Sequence, residues 1–304
     1  MSTLQIGVIA TWALAAALFA AYATSIAREI TYVTLADGRK TERKIPLVFR
    51  MLLPFVPNLS GLVRRPAFEK ARVSADEMIM SSGLEGLLTG EEFVALKLLV
   101  PIVCGAAFAA FVFVLGTVVP GSILSDGAPL LSLMGFVCFY AWPLMWLRGV
   151  LKKRHASIEK ALPFVLDLLT LSVEAGMDFM GAMSRNCARR RLDPLNEELI
   201  RMTHEIQVGT PRRVALKTMA DRVREPNLKS VAYALVQADE LGVSIGSILR
   251  IQSEQLRSRR FDRAEKLANE APVKMLGPLL LCIFPAVFIV LLGPVLAQAA
   301  SSIF

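Results

Sequence analysis

Four stretches of this chain contain no Asp, Glu, Lys or Arg: Leu4–Ile26, Leu98–Val119, Pro129–Leu147 and Met275–Leu296. Each is 19 to 23 residues long, and a helix needs about 20 apolar residues to cross a bilayer. A backbone in lipid must satisfy its own hydrogen bonds, so such segments have to be helices. The expected fold is therefore all-α, a polytopic membrane protein with four transmembrane helices. A hydrophobic content of 54% over 304 residues agrees, since soluble domains of this size carry less apolar residue. "AYA" at 21–23 resembles a signal cleavage site. Secretory signals open with Lys or Arg, whereas the first charge here is Arg28, so an uncleaved anchor is expected.

Basic residues orient the spans. Residues 28–97 hold 11 Lys and Arg, residues 148–274 hold 23, and residues 120–128 hold none. Both charged segments are expected to face the cytoplasm, with the short hairpin and both termini on the periplasmic side. The divisions follow: 1–27, first span; 28–97, cytoplasmic connector; 98–147, second and third spans; 148–274, cytoplasmic bundle; 275–304, fourth span and external C-terminus. Arg148, Lys152, Lys153 and Arg154 directly after the third span fit this arrangement.

The 148–274 segment is patterned by three glycines. Gly176, Gly209 and Gly242, each 33 residues after the last, stop helix-friendly runs in "SVEAGMDFMGAM", "EIQVGTPRRVAL" and "ADELGVSIGSILR". A glycine just past a helix end adopts the left-handed geometry that closes it. Two places later stand Asp178, Pro211 and Ser244. Asp and Ser are good N-caps, and Thr210-Pro211 offers a cap followed by proline at the first helical position. Asp193-Pro194 and Glu225-Pro226 separate successive units. Apolar stripes at Leu195, Leu199, Met202 and Ile206, at Leu216, Met219, Ala220 and Val223, and at Leu228, Val231, Leu235 and Ala238 face a common core. The pattern predicts a six-helix bundle made of three helical hairpins. Pro163 is expected to start the first hairpin after a short helix leaving the membrane. The last helix is expected from Ser244 to about Ala271, roughly 40 Å long, before Pro272 and the fourth span. No tetratricopeptide or ankyrin signature accompanies the period of 33, so a closed bundle is favoured over a solenoid. Residues 28–97 read either as a degenerate helical bundle or as a membrane-surface connector.

Chemistry is sparse. His155 and His204 have no Cys or carboxylate at ligand spacing, and the cysteines, Cys104, Cys138, Cys187 and Cys282, show no paired spacing. Phosphate-binding, dinucleotide-binding and nucleophile-elbow motifs are missing. No catalytic residue, cofactor or metal is expected. A net charge of +8 is explained by orientation and solvation rather than nucleic acid, because no basic helix carries interleaved aromatics. Spans without Asp, Glu, Lys or Arg argue against an ion-coupled transporter. Glu174, Asp178, Asp239 and Glu240 flank the turns as helix-end solvation, or as a partner- or cation-binding edge. In the fourth span, Gly277, Pro278, Pro285, Gly293 and Pro294 suit close helix packing or a groove for another membrane helix.

Three segments carry a resemblance. "LPFVLDLLTLSVEAGMDFMGAM", "ADELGVSIGSIL" with Glu240 and Gly242, and "APVKMLGPLLLCIFPAVFIVLLGPV" with Lys274, Pro278, Pro285 and Pro294 are similar to the F-domain family of type II secretion and type IV pilus machines. Asp239 stands where many members have glycine. The likeness covers about 156–296. One such domain with four spans resembles the tight-adherence (Tad) pilus branch, which pairs B-type and C-type platform proteins; the C type is favoured. The resemblance implies a bacterial inner-membrane platform that hydrolyses nothing itself. Its implied partners are a cytoplasmic secretion or pilus ATPase, a paralogous platform protein, and major and minor pilins, in a homo- or hetero-oligomer. Gly176, Asp178, Gly209, Glu240 and Gly242 are the expected partner-binding positions. The alternatives are a small-solute transporter and a membrane-anchored signalling adaptor.

Overall fold

The computed structural model describes residues 31–34, 40–43, 45–118 and 127–303. The first expected span, residues 119–126 of the expected hairpin region and both chain ends lie outside the described residues. The chain opens with a two-stranded antiparallel hairpin, β1 (Thr31–Thr34) and β2 (Lys40–Arg43), with Thr31 opposite Arg43. Short helices follow: α1 (Leu47–Leu52), α2 (Val56–Val63) and α3 (Glu69–Ser82), joined by 3-10 turns at Leu53–Phe55 and Pro66–Phe68. Then come α4 (Gly90–Val118), α5 (Ala128–Glu174), α6 (Phe179–Arg189), α7 (Pro194–Gln207), α8 (Arg212–Val223), α9 (Pro226–Leu241) and α10 (Ile245–Pro278). A π-turn at Leu279–Ile283 leads into α11 (Phe284–Ile303). Apart from the hairpin, the described chain is helical.

Three helical segments, Gly90–Val114, Pro129–Glu174 and Ile245–Pro294, are long and apolar enough to cross a membrane. They contain the third expected span and most of the second and fourth. The membrane parts of α4 and α5 interlock through glycines. A Cβ on Gly135 would lie 2.5 Å from Phe108, and one on Gly105 would lie 2.9 Å from Phe136. Gly135→Leu is therefore expected to pry the two helices apart at a cost of about 1–3 kcal/mol. Thermal unfolding of the full chain in micelles reads this; an unchanged midpoint would mean that the pair does not hold.

The six-helix bundle forms from the distal half of α5 and from α6, α7, α8, α9 and the start of α10. Consecutive helices pack in order, and α10 packs back on α5, closing the ring. The three predicted stripes lie in one core with Ile158, Leu162, Leu166, Leu169, Phe179 and Leu249, Ile206 packing on its edge; Ala238 is buried but lies outside it. The caps agree in part. Asp178 accepts from the backbone N–H of Met180 and Gly181, Asp193 from Asn196, and Glu225 from Leu228. Pro211 and Ser244 occupy N-cap positions without a side-chain cap, so Thr210 does not cap α8 as the sequence suggested.

Two proline expectations are corrected. Pro163 does not start a helix; it lies inside α5, which runs unbroken for 47 residues from the membrane to Glu174. A proline leaves the carbonyl four residues earlier without its helical donor, here that of Glu159. Arg260 of α10 donates to that carbonyl at 2.7 Å and to the carbonyl of Lys160 at 3.0 Å. Pro272 likewise does not interrupt α10, which continues to Pro278. The next adjustment is the π-turn ending two residues before Pro285, where a wider turn accommodates the carbonyl that this proline frees.

Residues 45–88 form a bundle of short helices with its own core. Phe49, Leu52, Val56, Val63, Ile79 and Leu88 pack against Phe93, Leu96, Val100 and Leu147 at the base of α4 and α5. Each short helix buries apolar residues, and these buried sides face the ends of the spans.

Candidate functional site

The three glycine turns sit together at the membrane-distal end of the bundle. From Arg148 to Glu174, α5 climbs about 40 Å at ~1.5 Å per residue, and α10 descends from the same end. Gly176, Gly209 and Gly242 have φ of +87°, +109° and +68°, the left-handed backbone that glycine adopts without steric cost. Contacts join the turns pairwise. The Arg212 guanidinium lies 5.7 Å from the Phe179 ring centroid, linking the second turn to the first. Arg213 and Lys217 pair with Asp239 and Glu240 across the second and third turns. Arg250 approaches Glu174 at 3.8 Å, and a Cβ on Gly246 would meet Val173, linking the third to the first.

The turn carboxylates are thus engaged. Asp178 is a helix cap, and Glu174, Asp239 and Glu240 each have a basic partner. Among the described residues no group of His, Cys, Asp and Glu is placed to hold a metal ion. What the turns do offer is apolar surface. Val208 is 76% exposed and Leu241 is 78% exposed, with Val243 and Val214 also open to solvent. The glycine spacing pointed to these loops, but the side chains that protrude are those beside the glycines.

A second constellation was not anticipated from the sequence. At the membrane-proximal end of the bundle, Arg154 of α5 donates to Glu197 (3.0 Å) and Glu198 (2.8 Å) of α7. Arg222 of α8 donates to Glu198 (2.9 Å) and Glu205 (2.9 Å), and Arg43 of β2 reaches Glu197 at 2.9 Å. Arg154, Glu198 and Arg222 are buried. Outside them, Arg201 bonds Glu85 and Arg224 bonds Glu77, tying the bundle to the 45–88 helices. The Arg201 hydrogen bond holds the Glu85 carboxyl below its ordinary range, and Arg224 does the same for Glu77. Burial lowers the pKa of Arg43. Arg224 is also the one non-glycine described residue with positive φ, at 57°. The two apolar cores remain separate, and alternating charges join them. The pairing comes from residues far apart in sequence, Arg43 and Glu197 by 154 positions.

The fourth-span residues Gly277, Pro278, Pro285 and Pro294 are exposed, and Gly293 is half-buried. Nothing described packs on this span as α4 packs on α5. His155 bonds the Val223 carbonyl at 2.8 Å, a packing role.

Residues 165–293 match the family described as type II secretion system (T2SS), protein F. Neither the curated proteins nor the solved structures provide a match to the chain.

Proposed function

We propose that this chain, whose residues 165–293 carry the type II secretion system protein F domain, is an inner-membrane platform of a type IV-like pilus or type II secretion machine. In this reading the bundle faces the cytoplasm and receives movement from a secretion ATPase at its distal turns. It passes that movement to the spans, which move pilin subunits from the bilayer into a fibre. The chain performs no chemistry itself, and the single domain with its several spans favours the tight-adherence branch, working with a paralogous platform protein.

The observation that carries the proposal is mechanical continuity. The first and last helices of the ring, α5 and α10, run into membrane segments without a break in helix. Arg260, Arg263 and Arg257 fasten the two rods where they run side by side, to Glu159, Lys160 and Asp167. Load applied at the turns therefore reaches the bilayer through stiff elements rather than loops.

Val208→Arg with Leu241→Arg tests the partner edge. Cations at helix C-termini suit the helix dipole, and exposed sites are tolerated to within about 0.5 kcal/mol. The fold should hold. Removing two buried anchors from a complex weakens binding by tenfold or more, so affinity for the cognate ATPase and surface fibres should both be lost. Unchanged binding and normal fibres would remove the turns from the mechanism.

A further inference from the structure

The helices α1 and α2 pack against the bases of α4 and α5. Phe49 of α1 packs edge-on against Trp142 (5.4 Å between centroids) and Trp146 (5.0 Å) in the last turns of the third span. Leu147, the final residue of that span, is buried in the same core. On the α4 side, Lys97 lies 4.8 Å from the Tyr140 ring centroid at the mouth of the second span. Tryptophan and tyrosine with flanking cations mark the headgroup level of a bilayer. So α1 and α2 lie beside the point where both helices leave the lipid.

Apart from Asn58, the outward side of α1, α2 and the 3-10 turn between them is apolar. Leu47, Phe55 and Leu62 are 43%, 57% and 46% exposed, although Val56 and Val63 on the opposite side are buried. From 45 to 68 the only charged residues are Arg50, Arg64 and Arg65. Arg65, Arg148, Lys152 and Lys153 are exposed and, among the described residues, have no carboxylate partner. The α1–α2 run cannot be half of a further span. The chain turns by 112° into α3, whose Glu77 bonds Arg224 of the bundle, and α3 carries Glu69, Lys70, Arg72 and Asp76 as well.

We infer that residues 47–63 form a collar lying in the plane of the membrane interface, its apolar side in the acyl boundary, with Arg65 after it and Arg148, Lys152 and Lys153 of α5 on anionic lipid headgroups. Amphipathic helices with apolar and cationic sides bind bilayers in this way. The collar is continuous with the spans, and its charge has one sign. It would seat the connector on the bilayer, leaving the bundle to move against a fixed base.

The full chain in nanodiscs of mixed phosphatidylglycerol and phosphatidylcholine tests it. A benzophenone amino acid is placed at Phe55 or Leu62, with Phe111 as the lipid-facing reference and Val214 as the aqueous one. Phospholipid adducts are expected at 55 and 62 in yields like that at 111. Adduct yields like that at 214 would overturn the collar. In a second arm, Arg65→Gln with Lys152→Gln and Lys153→Gln should reduce the enrichment of phosphatidylglycerol around the purified chain by about fivefold or more. Enrichment equal to wild type would overturn the anionic headgroup as ligand, and both arms read lipid contact even if the variants are less stable.

Discussion

Glu198→Ala should cost about 3–5 kcal/mol of folding stability, the largest single-site loss expected in the bundle. Glu198 accepts from Arg154 on one side and Arg222 on the other. Removing it leaves two guanidinium groups buried with too little negative charge between α5 and α8. Those side chains are only 8% and 4% exposed, so water cannot replace the lost partner. Replacing Glu198 and Arg222 together by leucine and methionine should cost less than Glu198→Ala alone, because well-packed apolar groups substitute for a buried pair at little or no penalty. Denaturant unfolding of the full chain in micelles, followed by bundle-specific fluorescence, measures both. A loss below about 1 kcal/mol for Glu198→Ala would put the pair in the class of exposed ion pairs and deny the network its structural weight.

The second large effect is functional. Between Arg263 and the bilayer, α10 stands alone: among the described residues no hydrogen bond or ion pair ties it to another element, and residues 257–269 are all exposed. Replacing residues 265–269 with Gly-Ser-Gly-Ser-Gly keeps the length but removes helix propensity, at about 1 kcal/mol per glycine. Bundle folding should be unaffected, because its core ends at Leu256. Fibre assembly should disappear, since a slack tether transmits no push or rotation. Five alanines at the same positions should preserve assembly. Normal fibres on cells carrying the Gly-Ser variant would mean that the fourth span needs no rigid connection.

Local signals and tertiary ones differ in how far the sequence exposes them. The turns at Gly176, Gly209 and Gly242 were readable because a helix end needs only its own neighbours: a left-handed residue, a cap, a proline. The stripes from Leu195 to Ala238 were readable because one helix face repeats every three or four residues. Pro163 misled for the opposite reason. Its local meaning is a helix start, but Arg260, distant in sequence, satisfies the carbonyl it frees and the helix persists. The same holds for Arg154, Glu198 and Arg222, each an ordinary surface charge until α5, α7 and α8 converge. In the connector, helices of six and eight residues are too short for a periodic signal, and their apolar sides are defined by the spans they lean on. The β-hairpin, with four residues to a strand, fell below the same threshold.

One position decides between a relay and any other arrangement: the side of the membrane on which the distal turns lie. Val243→Cys introduces an exposed thiol at the third turn, and a membrane-impermeant maleimide probes it in intact spheroplasts and after lysis. The account predicts labelling at position 243 only once the membrane is opened. Labelling of that cysteine in intact spheroplasts would put the bundle out of reach of every ATP-driven partner and contradict the relay.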